Sequence, residues 1–260
     1  MGFYSKCSKK LSGPGVCSCE HTGYTTAAGA PLANTSSFKD DCFYVVKKIF
    51  SSNPDSALQK AIYSKNNIWV VFGGFYVLLS SFAMMCIVEA IAIETIRAAI
   101  GPLAGIARIA IREFFPYGEL FGIGFLLAVI TFAVLSGCVK LLYCVFKQGF
   151  SFAAVMNLVS VSLFIYSAAM LAAIFFSVFF VQLSALLLVI GTIGSHIMLY
   201  IGIQKTAPVN KNLLWFFLGI NTVTHIIAYF FAVQLLSALM NRVVENILMG
   251  GFDSFLNLIW

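Results

Sequence analysis

The chain has 260 residues, 60% of them hydrophobic and 10% charged, with a formal net charge of +6 and a mean hydropathy of +0.95. Soluble domains carry roughly 25% charged residues, so a water-soluble globule, an acidic disordered tail and a disulfide-stapled mini-protein are excluded together. The composition is that of an integral membrane protein.

In chain order, residues 1–21 come first and hold three of the seven cysteines, Cys7, Cys17 and Cys19, with Glu20 and His21 beside them. A structural zinc site needs four N/S ligands in a closed tetrahedral shell, presented on two tight knuckles. The words Lys6-Cys7-Ser8-Lys9-Lys10-Leu11-Ser12 and Val16-Cys17 resemble the short zinc ribbon that opens many bacterial membrane proteins. Tyr4 and Glu20 stand where that pattern has cysteine. Two readings stay open. Either zinc is held through Cys7, Cys17, Cys19 and His21, or the head is a decayed ribbon with free thiols. No apolar core of a secretory signal is present in residues 1–37, and Lys6 breaks the myristoylation pattern after Gly2.

Residues 22–36 are small, polar and uncharged, the composition of a flexible linker. Ser37, three residues before Asp40, then predicts a helix N-cap. Val46, Ile49 and Phe50 follow Phe38, Cys42 and Phe43 at helical spacing. A second short helix is expected with Asn53 as cap, Pro54 at its first position and Ala57, Leu58, Ala61 and Ile62 on its apolar face. Lysine-rich amphipathic helices just ahead of a span are expected on the cytoplasmic headgroup surface.

Long uncharged runs mark the spans. Asn66–Val88 has 23 residues, Leu120–Val139 has 20, Gln148–Gln204 has 57, and the run between Lys211 and Arg242 has 30. A helix needs about 20 apolar residues to cross ~30 Å of hydrocarbon. The 57-residue run would reach roughly 85 Å as one helix, so it folds back once, near Ser177–Gln182. Spans are therefore expected near 67–88, 120–141, 153–176, 181–203 and 213–237. Between the first two, Gly101-Pro102 divides Ala90–Gly118 into two outer amphipathic helices, with Glu94/Arg97 and Arg108/Arg112 at helical spacing.

Basic residues orient the chain. With the N-terminus cytoplasmic, that side holds eight N-terminal lysines plus Lys140, Lys147, Lys205 and Lys211, whereas Arg97, Arg108, Arg112 and Arg242 lie outside. The expected location is the plasma membrane, with the C-terminus on the outer side. The positive charge serves topology, and no nucleic-acid partner is implied.

Few polar side chains fall within the spans: Asn157, Gln182, His196, Asn221, His225 and Gln234. Asn221 and His225 are i,i+4, so His196, Asn221 and His225 are expected to form a polar seam between spans 4 and 5, with Gln182 and Gln234 near its outer end. No hydrolase, metalloprotease, nucleotide-binding or dinucleotide-binding motif occurs, and no enzyme is expected.

A second resemblance reaches further. Phe43–Phe50, Asn53-Pro54 and Lys65–Trp69 look like the start of bacterial zinc-ribbon membrane proteins of unassigned function. Gly149–Phe152, Val155–Ser160, Gly191 and Tyr200–Ile203 resemble the Yip-type (Rab-interacting) five-helix membrane family. That resemblance implies a membrane-embedded scaffold or trafficking-like role and supplies no catalytic residues.

The fold class expected is thus all-α: a polytopic membrane protein with about five transmembrane helices, amphipathic interfacial helices and a small degenerate zinc-ribbon-like head. Its divisions are a head at 1–21, a linker at 22–36, interfacial helices at 37–66 and a membrane domain at 67–260. The functional expectation is a non-enzymatic scaffold, adaptor or sensor. Its cytoplasmic head, with zinc as the one cofactor in view, recruits a protein partner to the bilayer. The alternative is a small-solute or ion permease component using the polar seam.

Overall fold

The structure, a computed structural model, describes residues 37–51, 53–101, 115–177, 179–207 and 212–259, the last as backbone only beyond Leu239. Among the described residues the secondary structure is helical, with no strand. Seven helices follow in chain order: α1 (Phe38–Ile49), α2 (Asp55–Tyr63), α3 (Trp69–Ile100), α4 (Tyr117–Val145), α5 (Phe152–Ser177), α6 (Val181–Thr206) and α7 (Leu213–Ile259). The last five are long and apolar enough to cross a membrane, and they fall on the five spans expected from the sequence.

α1 begins where the capping pattern predicts. The Asp40 backbone N–H donates to Ser37 Oγ at 3.2 Å, satisfying an amide that the helix leaves open at its N-terminus. Asp40 and Asp41 sit in the first turn and Lys47 and Lys48 in the last, each matched to the sign of the helix dipole. α2 departs from expectation, because Asn53 supplies no side-chain cap. Pro54 already has helical angles (φ −65°, ψ −23°), and Ser56 Oγ donates to the Asn53 carbonyl at 2.8 Å. The fixed φ of proline is enough to start the turn.

α3 corrects the sequence reading of residues 90–100. It runs 32 residues without interruption, so the first outer amphipathic helix is the last third of α3. Charge by itself does not break a helix; Glu94 and Arg97 pair along its face at 2.6 Å. The stop comes at Gly101, whose φ of +57° is a conformation that glycine adopts without steric cost. At ~1.5 Å per residue α3 extends roughly 48 Å, well beyond ~30 Å of hydrocarbon. Arg108 and Arg112 lie outside the described residues.

α4 closes in a Schellman turn: Gln148 N–H donates to the Tyr143 carbonyl at 2.8 Å and Lys147 N–H to the Cys144 carbonyl at 3.0 Å, with Lys147 at φ +56°. The α5–α6 hairpin turns between Ser177 and Val181, and Ser184 Oγ fastens it by donating across to the Ala173 carbonyl at 2.8 Å. α7 is 47 residues long, twice the length that the bilayer requires.

α5 is central. It packs on α6, α3 and α4 and supports α2, while α7 leans chiefly on α4 and touches α6 only lightly. Small residues allow the close approaches. A Cβ built on Gly124 of α4 would stand 2.8 Å from Met84 Cβ and 2.9 Å from Ser81 Cα of α3, and one built on Gly191 of α6 would collide with Ala169 of α5. In a bilayer such contacts replace the hydrophobic effect as the cause of helix association.

The apolar faces of α1 and α2 are divided between two environments. Val45, Ile49, Ala57, Leu58, Ala61 and Ile62 belong to the same core as the long helices. Phe43, Val46 and Phe50 form an exposed ridge on α1, although the Phe50 ring still reaches Phe164 of α5 at 5.8 Å.

Candidate functional site

The most fully built polar constellation joins α1 and α2 to the long helices. Asp41 is 1% exposed, and a lone carboxylate so buried would be costly unless paired and hydrogen-bonded. Its Oδ1 meets Lys60 Nζ of α2 at 2.8 Å. Its Oδ2 accepts from Ser64 Oγ at 2.7 Å and from Asn66 Nδ2 at 2.8 Å. One carboxylate thus holds α1, α2 and the segment that leads into α3. Burial pushes the neighbouring Cys42 thiol up from its ordinary value, and the Asp41 carboxylate adds to the shift.

Asn157 continues the joint from the other side. Buried on α5, it donates through Nδ2 to the Asn66 carbonyl at 2.9 Å and accepts through Oδ1 from the Trp69 N–H at 2.9 Å. The Trp69 N–H is one of the amides that the first turn of α3 leaves open, and the Asn66 carbonyl, which also accepts from the Ile68 N–H at 3.0 Å, lies just ahead of it. At the α6 end, Lys205 pairs with Asp55 of α2 at 3.3 Å. Tyr143 of α4, completely buried, joins its hydroxyl to that of Thr206.

Two of the residues named for the polar seam come close together. His196 of α6 and His225 of α7 bring their rings to 5.1 Å, inclined by 34°. His196 Nδ1 lies 2.6 Å from the Thr192 carbonyl, and His225 Nδ1 lies 2.7 Å from the Asn221 carbonyl. A carbonyl only accepts, so Nδ1 carries the proton in both rings and Nε2 is the open nitrogen of the neutral form. Asn221 Oδ1 is buried without a hydrogen-bond partner. Gln182 and Gln234 stay apart from this group, both exposed, with Gln182 in the first turn of α6. Cys7, Cys17, Cys19 and His21 lie outside the described residues. Among the described residues no three His, Cys, Asp or Glu side chains cluster as a metal site would require.

One site was not anticipated from the sequence. A cavity of about 280 Å³ lies among α3, α4, α5 and α6, where Tyr76, Ser80, Thr131 and Tyr166 contribute hydroxyls to an otherwise apolar lining. The Tyr76 hydroxyl sits beside those of Ser80 and Thr131, that of Tyr166 beside Thr192, and Ser80 Oγ is 3.4 Å from Met170 Sδ. These residues are ordinary in membrane helices; only the convergence of the four hydroxyls from α3, α4 and α5 makes a site.

No family model, curated protein or solved structure matches the chain. The class is defined by the helices themselves: a multi-pass, all-α membrane protein.

Proposed function

We propose that the chain is a non-enzymatic membrane scaffold or sensor, oriented with its N-terminus in the cytoplasm, whose head recruits a protein partner to the helical bundle. The observation that carries this reading is the Asp41 joint. Residues 1–36 lead directly into α1, and α1 is fastened through Asp41 to Lys60, Ser64 and Asn66. From there Asn157 connects the start of α3 to α5. A partner on the head would be tethered through the linker to α1, and α1 is anchored to the bundle by a carboxylate bonded through both of its oxygens. The permease reading ranks second. It is favoured by the pairing of His196 with His225, although His225 is exposed at a light α6–α7 contact.

The test is crosslinked co-purification of the full chain beside a chain beginning at Ser37. A stoichiometric partner that is lost with the head is the expected result. Absence of a partner from both, with solute flux in proteoliposomes that collapses in a His196→Ala/His225→Ala variant, would move the assignment to a permease.

A further inference from the structure

We propose that the cavity among α3, α4, α5 and α6 binds an uncharged lipid carrying one hydroxyl or carbonyl group on a single hydrocarbon chain or ring system. The proposal is independent of the recruiting role of the head.

Depth argues first. Thr131 is the middle residue of α4, which spans Tyr117–Val145, and Tyr166 lies near the middle of α5, which spans Phe152–Ser177. The hydroxyl end of the cavity therefore sits close to the midplane of the bilayer, ~15 Å from either headgroup layer. From there the lining continues toward the end of the bundle opposite α1 and α2, along Val88, Gly124 and Leu188. A phosphate or ammonium headgroup at the midplane would be stripped of water with nothing to compensate it. Among the described residues the lining holds no charged side chain. Only an uncharged polar group can occupy that position.

Chemistry and size narrow the class. Each lining hydroxyl donates one hydrogen bond and accepts two. The group of three at Tyr76, Ser80 and Thr131, with the Tyr166 hydroxyl beside Thr192, therefore keeps capacity for one more donor or acceptor after bonding internally. At about 280 Å³ the space falls just below the ~300–1,000 Å³ of ordinary ligand pockets. It suits one chain or ring with its polar end, and it is too small for a diacyl phospholipid. Entry is from the hydrocarbon: Met84, Ile87, Val88, Leu127 and Leu188 along the lining are half-buried.

The test uses the full chain in nanodiscs of phosphatidylcholine and phosphatidylglycerol. The probe is a long-chain fatty alcohol with a diazirine in its chain, and the control is the phosphate monoester of the same alcohol. Saturable photolabelling of Met84, Val88 or Leu127 by the alcohol is expected, competed by unlabelled alcohol and absent with the phosphate ester. Filling the cavity with Ala128→Leu abolishes it. The near-isosteric Tyr76→Phe/Thr131→Val variant, which keeps the packing, lowers it by roughly three- to tenfold, the worth of one or two hydrogen bonds. Labelling that never saturates, is equal on the outward residues Phe125 and Leu126, and is indifferent to both variants would identify bulk acyl chains only and overturn the proposal.

Discussion

Asp41 is a charged residue in the first turn of a lysine-bearing helix, and its neighbour Asp40 is one too. Their sequence surroundings are nearly alike, yet Asp40 is exposed and accepts only from the hydroxyl of the capping Ser37, while Asp41 is buried at the centre of three elements. Removing one member of a buried, hydrogen-bonded set leaves the others desolvated without partners. Asp41→Ala is expected to destabilise the bundle by about 2–4 kcal/mol, since Lys60 keeps some access to water. Asp41→Asn should fall between the two, because an amide oxygen still accepts from Ser64 and Asn66 while the pairing with Lys60 is lost. Thermal unfolding in one detergent checks the order; an unchanged Asp41→Ala variant would remove the joint from the account. The sequence does single out Asn157 as a polar residue within a span. It does not reveal that its two partners are backbone groups 88 and 91 positions earlier in the chain. Serine and threonine hydroxyls were equally silent. Most of them return a hydrogen bond to their own helix, as Ser162 does to the Leu158 carbonyl at 2.9 Å, so in sequence they read as small apolar residues.

Among elements, the five long helices were legible because charge is so expensive in hydrocarbon that its absence over about 20 residues is a strong signal. Helix ends outside the hydrocarbon were harder to read, and α3 runs past its expected end because no residue before Gly101 stops it. The close approaches were also hidden. Gly122 and Gly124 are two residues apart on α4, but a Cβ on Gly122 meets nothing within 4 Å whereas one on Gly124 meets the backbone of α3 at 2.9 Å. Gly124→Ala and Gly191→Ala are each expected to cost about 1–3 kcal/mol by overpacking, with Gly122→Ala near neutral. Unfolding midpoints of the three variants give the comparison, and equal values at positions 122 and 124 would mean that α3 and α4 are not in close contact there.

For the molecule as a whole, the distribution of charge suggested a division at residue 66, with a wet region before it and a membrane region after. Packing puts the compact unit's boundary at Ser37, because α1 and α2 contribute Val45, Ile49, Leu58 and Ile62 to the core of the long helices. A chain beginning at Ser37 should keep the thermal transition of the full protein within about 2 °C. One beginning at Asn67 loses those side chains and the Asp41 joint together, and should melt roughly 10 °C lower or more. Similar melting of both truncated chains would return α1 and α2 to the role of separate surface helices.

The sequence by itself determined the class, the number of long apolar helices and the cap of α1. Each of these follows from local composition or from spacing along one helix, and the energies involved are set by a residue and the bilayer around it. Only the tertiary structure decided that Asp41 is buried, that Asn157 satisfies the start of α3, and that Tyr76, Ser80, Thr131 and Tyr166 converge on one cavity. Those outcomes depend on which helix faces which and at what rotation. In a bilayer, where every span is apolar on all sides, hydrophobic periodicity carries almost no record of that choice.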